Sequence, residues 1–591
     1  MTVSLAKAIT VSVGILLCAT SAVVAQTAQP SAQPRTLAPR QLAPVQTEAQ
    51  PEARQRQGVE AGTGVQIQSL DALDVDSVGV LDSSSGGLGA TLWRGSNRMV
   101  VERLMAGLPA QNQSRAARGL ARSVLLTAAP PPEGQGGADM VLLRVRALLT
   151  MGDLESAEKL ISAVPARAKS KELIREETQL RLLLGQAPEA CKLAAEGIGE
   201  SDAPFWQKVL IICQILAGQE DKAQLGIALM REMGGAEERF LSLAESFAAG
   251  AVSPLDSLAE PELLELVILS QGNSPLPEDA VSTDSAVKLA LIANHGASDI
   301  GLRLEAGERA VALGGMSGVQ LAEFYRQPQF DPSEVASPLS RAEELPGPIG
   351  RALLYQAAAN QSLPAGRAEA VSHALSLARE QGRLPAAARA FVGLIATLQP
   401  TATLSWFAPE ALQTLLLAGD VQRARAWFSV LRGLALQDGE AAQALAGLLP
   451  IARLAGSIEA ANWRASELGQ WWQGIKREEG ARDYAARLFS LFEALGEPVP
   501  QGLWVALLDG PAVQARTEPH PAVIRRLLDA QTNARLGETA LAGLMALGQA
   551  GAEEIGTAGL ASVIRAFRAV GLEQHARLLA VEAALSGRPG A

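Results

Sequence analysis

Three loops within residues 141–230 decide the fold: Met151-Gly152-Asp153-Leu154-Glu155-Ser156-Ala157, Leu184-Gly185-Gln186-Ala187-Pro188-Glu189-Ala190 and Ala217-Gly218-Gln219-Glu220-Asp221-Lys222-Ala223. Their glycines recur at a step of 33 residues, with apolar residues at helical spacing on both sides. A period of this length with a helix on either side predicts stacked helical hairpins. Gly152, Gly185 and Gly218 are placed to close the first helix of each hairpin in the left-handed conformation. Asp153 can then cap the second helix, and Pro188 stands in a first turn, where its missing N–H does no harm. The alanine five residues after each glycine is small enough for the paired helices to approach closely.

The theme returns in the C-terminal half at a step of 37 residues, at Gly382, Gly419 and Gly456. Each again has its alanine five later, Ala387, Ala424 and Ala461, and two have an aromatic four beyond that, Phe391 and Phe428. Gly537 with Ala542 and Gly571 with Ala576 extend the series.

These positions resemble the tetratricopeptide repeat, which places a glycine at the helix–helix turn, an alanine five later and an apolar residue four beyond. Here those last positions are Ile161, Ala194 and Ile227 in the first array. The first helix departs from the family pattern. Its small residue is replaced by Val145, Thr178 and Ile211, and its aromatic by Leu148, Arg181 and Gln214. The resemblance implies a degenerate relative, and the family's peptide groove does not transfer residue by residue.

The fold class expected is all-α, an α-solenoid of antiparallel helical hairpins with a short extended or β-like N-terminal cap. Residues 1–25 read as a signal peptide: Lys7, an apolar run from Ile9 to Val24, and small residues before a cut after Ala25. Residues 26–60, rich in Pro, Gln and Ala, lack the apolar side chains to offset ordering entropy and read as a disordered tether. Residues 61–95 form the cap, with period-two alternation from Gly64 to Leu70. A first array occupies 96–326, beginning with a helix capped by Ser96. The Pro- and acid-rich stretch 327–348 reads as a hinge, and a second array occupies 349–591.

A chain of 591 residues, 48% hydrophobic and 4% aromatic, exceeds one ordinary core. The net charge of −11 argues against a nucleic-acid partner. After signal cleavage no segment is apolar and long enough to span a bilayer, so the protein is expected to be periplasmic or secreted. Cys191 and Cys213 would remain, on consecutive helices, and in an oxidising compartment they can pair.

No residue constellation calls for a catalytic, cofactor or metal role. The histidines at 295, 373, 520 and 575 stand outside metal spacings and read as solvated surface groups. Gly543-Leu544-Met545 looks superficially like a motif of the soluble lytic transglycosylases. That family needs a catalytic Glu-Ser well upstream, whereas Glu538 is only five residues before Gly543 and is followed by Thr539. Trp463, Trp471 and Trp472 concentrate aromatic surface on one expected helix from about 458 to 476, either as a partner platform or as core. The reading that follows is an exported, non-enzymatic scaffold or adaptor that binds protein partners of the bacterial cell envelope. A peptidoglycan-acting enzyme or accessory subunit and a passive structural protein are the alternatives.

Overall fold

The computed structural model describes residues 74–197, 204–234, 237–250, 255–272, 274–459, 462–509, 516–586 and 588. The signal segment, the tether and the Gly64–Leu70 alternation lie outside the described residues. What is described contains 28 α-helices and, among the described residues, no strand beyond isolated bridges. The described chain is all-helical.

The hairpin turns share one bonding scheme. Gly152, Gly185, Gly218, Gly382, Gly419 and Gly456 all have positive φ, between 66° and 79°. The residue after each donates its N–H to the carbonyl five positions back: Asp153 to Leu148, Gln186 to Arg181, Gln219 to Gln214, Arg383 to Ala378, Asp420 to Leu415 and Ser457 to Ala452. That is how a left-handed residue satisfies orphan carbonyls at a helix end. Asp153 and Asp420 then accept the N–H of Ser156 and Arg423 and so start the next helix. Ala157, Ala190, Ala223, Ala387 and Ala424 are fully buried where the paired helices meet. Ala461 lies outside the described residues.

Two local expectations shift. The first helix, Arg98–Ala106, is capped by Asn97 rather than by Ser96, whose side chain is buried. The turn assigned to Gly537 sits at Ala534, which takes φ 51° without being glycine, and Arg535 makes the five-back bond to Ala530. Gly537 is already inside the helix Leu536–Leu547, pressed against Trp93: a Cβ there would lie 2.3 Å from the indole.

Two apolar clusters organise the helices. The larger runs from Leu92 to Leu585. It joins the start of the described chain to its end, because Arg98–Ala106 and Arg115–Leu126 pack on Leu536–Leu547, and Arg115–Leu126 also packs on Glu573–Ser586. Backbone bonds follow the same route: Gly537 N–H to the Leu92 carbonyl at 2.9 Å and Gln113 N–H to the Gln549 carbonyl at 2.9 Å. The described part of the expected cap, 74–95, is a 3-10 turn at Val75–Ser77 followed by turns, with a single bridge from Leu81 to Thr127. Arg144 fixes it by donating to the carbonyls of Val78, Leu125 and Thr127.

Within 327–348 lie two short helices, Pro332–Ala336 and Pro338–Glu344, both packed on Gly347–Asn360. Across this stretch Arg351 grips Glu308 with Nε at 2.8 Å and Nη2 at 2.5 Å, both side chains fully buried. Tyr325 adds its hydroxyl to the same carboxylate at 2.7 Å.

The smaller cluster runs from Leu182 to Ile268 and has its own core of Phe205, Trp206, Ile212, Ile227 and Phe240. Small cores bury little area and are commonly reinforced by covalent staples. Here Cys191 on Ala187–Gly197 is disulfide-bonded to Cys213 on Pro204–Leu216, with Cα atoms 5.6 Å apart.

Candidate partner surface

The three tryptophans singled out by sequence are interior. Trp463, Trp471 and Trp472 are 9%, 2% and 4% exposed. They do not share a helix. Helix Ser466–Ile475 carries Trp471 and Trp472, while Trp463 precedes it and stacks on Phe492 at 5.5 Å. Trp471 meets the rings of Tyr484 and Phe489. The left-handed Gly456 ends the preceding helix and residues 463–465 are non-helical, so the expected single helix from 458 to 476 does not form. The indoles fill space between helices and leave no open face for a partner.

Glu538 is likewise interior. It accepts the Asn97 N–H at 3.2 Å and lies 3.4 Å from Arg535 and 3.6 Å from Arg526. The carboxylate ties the first helix to the helix Leu536–Leu547. His295 is buried too, between the Ser298 hydroxyl and the Leu269 carbonyl, where the sequence suggested a surface position.

Exposed apolar surface concentrates instead on the smaller cluster. Helix Glu220–Met233 buries Ala223, Ile227 and Met230 against its neighbours. Another side carries Leu225, Leu229 and Met233, exposed by 72%, 53% and 53%. Spaced by four, these three form one ridge about 12 Å long. An amphipathic surface helix has one apolar stripe; this one has two, about 130° apart round the axis. Leu216, at the end of the preceding helix, is also exposed.

The helix is held firmly enough to present such a ridge. Gly218 is left-handed at its entry and Gly234 at its exit. Arg231 bonds Glu238 and Glu245 of the following helix, and the disulfide fixes the preceding one. Sequence reasoning missed this ridge because the repeat register accounts only for Ala223 and Ile227. Plotting Leu225, Leu229 and Met233 on a helical wheel would have exposed the second stripe.

No protein-family model, no curated protein and no solved structure matches this chain.

Proposed function

We propose that the protein is an exported helical-repeat adaptor of the bacterial cell envelope, related in design to tetratricopeptide arrays, and that a protein partner docks on the outer ridge of helix Glu220–Met233. The observation that carries this is the second apolar stripe, Leu225, Leu229 and Met233. Three large apolar side chains in a row on one exposed helix face cost solubility and serve a contact that covers them. The complement is an apolar helix face on the partner, engaged ridge against groove.

Two further features support the setting. The Cys191–Cys213 disulfide suits an oxidising compartment and so agrees with export. The repeated left-handed turns and buried alanines are those of helical hairpins, which serve widely as binding scaffolds. No helix among the described residues is long and apolar enough to cross a membrane.

The test is a charge on the ridge. Leu225→Glu and Leu229→Glu should leave the melting temperature unchanged, since both side chains are solvated, and should abolish partner binding. If these variants keep every interaction of the parent in the envelope, the reading fails. If the parent is a dimer in solution and the variants are monomers, the ridge is a self-association face and the adaptor reading is replaced.

A further inference from the structure

A cavity of about 570 Å³ lies where several hairpin ends of the larger cluster converge. This is within the usual range for small-molecule sites. Its wall carries five arginines, Arg309, Arg379, Arg383, Arg389 and Arg588, in a protein whose net charge is −11. We propose that this cavity binds a small polyanion, a molecule bearing two or more carboxylate or phosphate groups. The inference is independent of the partner ridge.

The charges of the wall decide the sign. Arg309 pairs with Asp284 at 3.2 Å and Arg379 with Glu410 at 3.0 Å, while Arg383 pairs with Glu305. Glu410 and Glu305 lie outside the wall and draw only one edge of each guanidinium. Arg389 donates to the Val311 carbonyl, and no described carboxylate forms an ion pair with it or with Arg588. Behind the wall, Arg118 is bound, among the described residues, by the carbonyls of Asn112, Gln113 and Ala312.

The carboxylates of the wall do not balance this excess. Glu582, hydrogen-bonded to the Ser114 hydroxyl and the Ala116 N–H, is shared by the charges of Arg118 and Arg389 and offsets them only in part. Glu553 and Asp284 are the other two, and Asp284 is almost wholly solvated. Arg118 and Arg389 offset the carboxyl end of helix Ile300–Leu313, which also reaches the wall. The amino end of helix Leu384–Thr397 adds positive potential.

Burial weighs on the charge of two of these arginines. Burial, followed by the nearby Arg389 charge, holds Arg118 down to about 9, with Glu582 opposing the shift and Arg115 adding to it. Burial holds Arg389 down to about 10, with the Glu582 carboxylate opposing the shift and Arg115 adding to it. A polyanion in the cavity adds to the single Glu582 counter-charge at desolvated guanidinium groups, where charge-assisted bonds are strong. Apolar side chains of Leu313, Leu384, Leu417 and Leu585 line the remainder and would cover a short carbon skeleton.

The experiment is isothermal titration of the full chain, in chloride buffer, with citrate, pyrophosphate and acetate as probes. Citrate or pyrophosphate should bind with one-to-one stoichiometry and acetate should not. Binding by citrate alone marks a polycarboxylate ligand, and by pyrophosphate alone a phosphorylated one. Arg389→Gln and Arg588→Gln should each weaken binding about tenfold, which is about 1.4 kcal/mol. Arg588 lies beyond the last helix, so its variant decides the matter if Arg389→Gln fails to fold. Failure of both polyanions to saturate at millimolar concentration, or parent-like binding by Arg588→Gln, overturns the proposal.

Discussion

Glu582 accepts the Ala116 N–H at 3.0 Å, so a carboxylate in the last helix caps a helix near the start of the described chain. The same carboxylate takes the hydroxyl of Ser114, the N-cap of that helix. A negative charge at a helix amino end is favourable on both hydrogen-bond and dipole grounds. With Asn97 on Glu538 and Leu92 on Gly537, this closes the larger cluster between residues more than 440 positions apart.

Glu582→Ala removes that cap and should cost about 1–2 kcal/mol. Denaturant melts of Glu582→Ala, Ser114→Ala and the double variant measure the coupling. The double variant should lose less than the two single losses together, because both changes remove one shared bond.

Reduction of Cys191–Cys213 frees a loop with a sequence separation of 22. The loss expected is about 3 kcal/mol, felt by the smaller cluster and not by the larger. Hydrogen exchange with and without reductant checks this. Amides of Pro204–Leu216 and Glu220–Met233 should exchange faster while those of Leu536–Leu547 stay protected.

The left-handed turn residues answer opposite exchanges with opposite changes in stability. Ala534 already has φ 51°, so Ala534→Gly relieves a left-handed alanine and should raise stability by about 1 kcal/mol. Gly419 has φ 77°, and the Arg115 guanidinium occupies the space a Cβ would need. The flexible Arg115 end can swing aside, so Gly419→Ala should destabilise through its φ by about 1 kcal/mol, as thermal melts would show.

Breaking the buried Glu308–Arg351 pair from one side strands a charge in the core. Glu308→Ala should cost about 3–5 kcal/mol. Replacing both with Leu and Met should recover most of that loss. Equilibrium unfolding of the parent and the two variants distinguishes a pair that adds stability from one that only needs its partner.

What the sequence shows and hides follows from the range of each interaction. Gly152 and Gly419 were legible because a left-handed turn, its back-bond and its buried alanine all fall within about ten residues. Ala534 was not, because the same turn is made there without glycine, and Gly537 drew attention for a reason that lies in Trp93. The Glu582–Ala116 bond has no local signature at all. Trp463, Trp471 and Trp472 were conspicuous by type, but burial is set by neighbours such as Phe492 and Tyr484 that lie on another helix. Leu225, Leu229 and Met233 were overlooked because they sit on the face that the repeat pattern leaves unassigned. Cys191 and Cys213 pair, as their places on consecutive helices suggested.

The adaptor account is tested most directly by a photo-crosslinking residue placed at Leu229 in the producing cell, with matched probes at exposed Leu436 and Val319. The account predicts one discrete crosslinked protein species from position 229, absent from the other two positions and lost when Leu225→Glu is added. No adduct at 229, or the same adducts from all three positions, would contradict it.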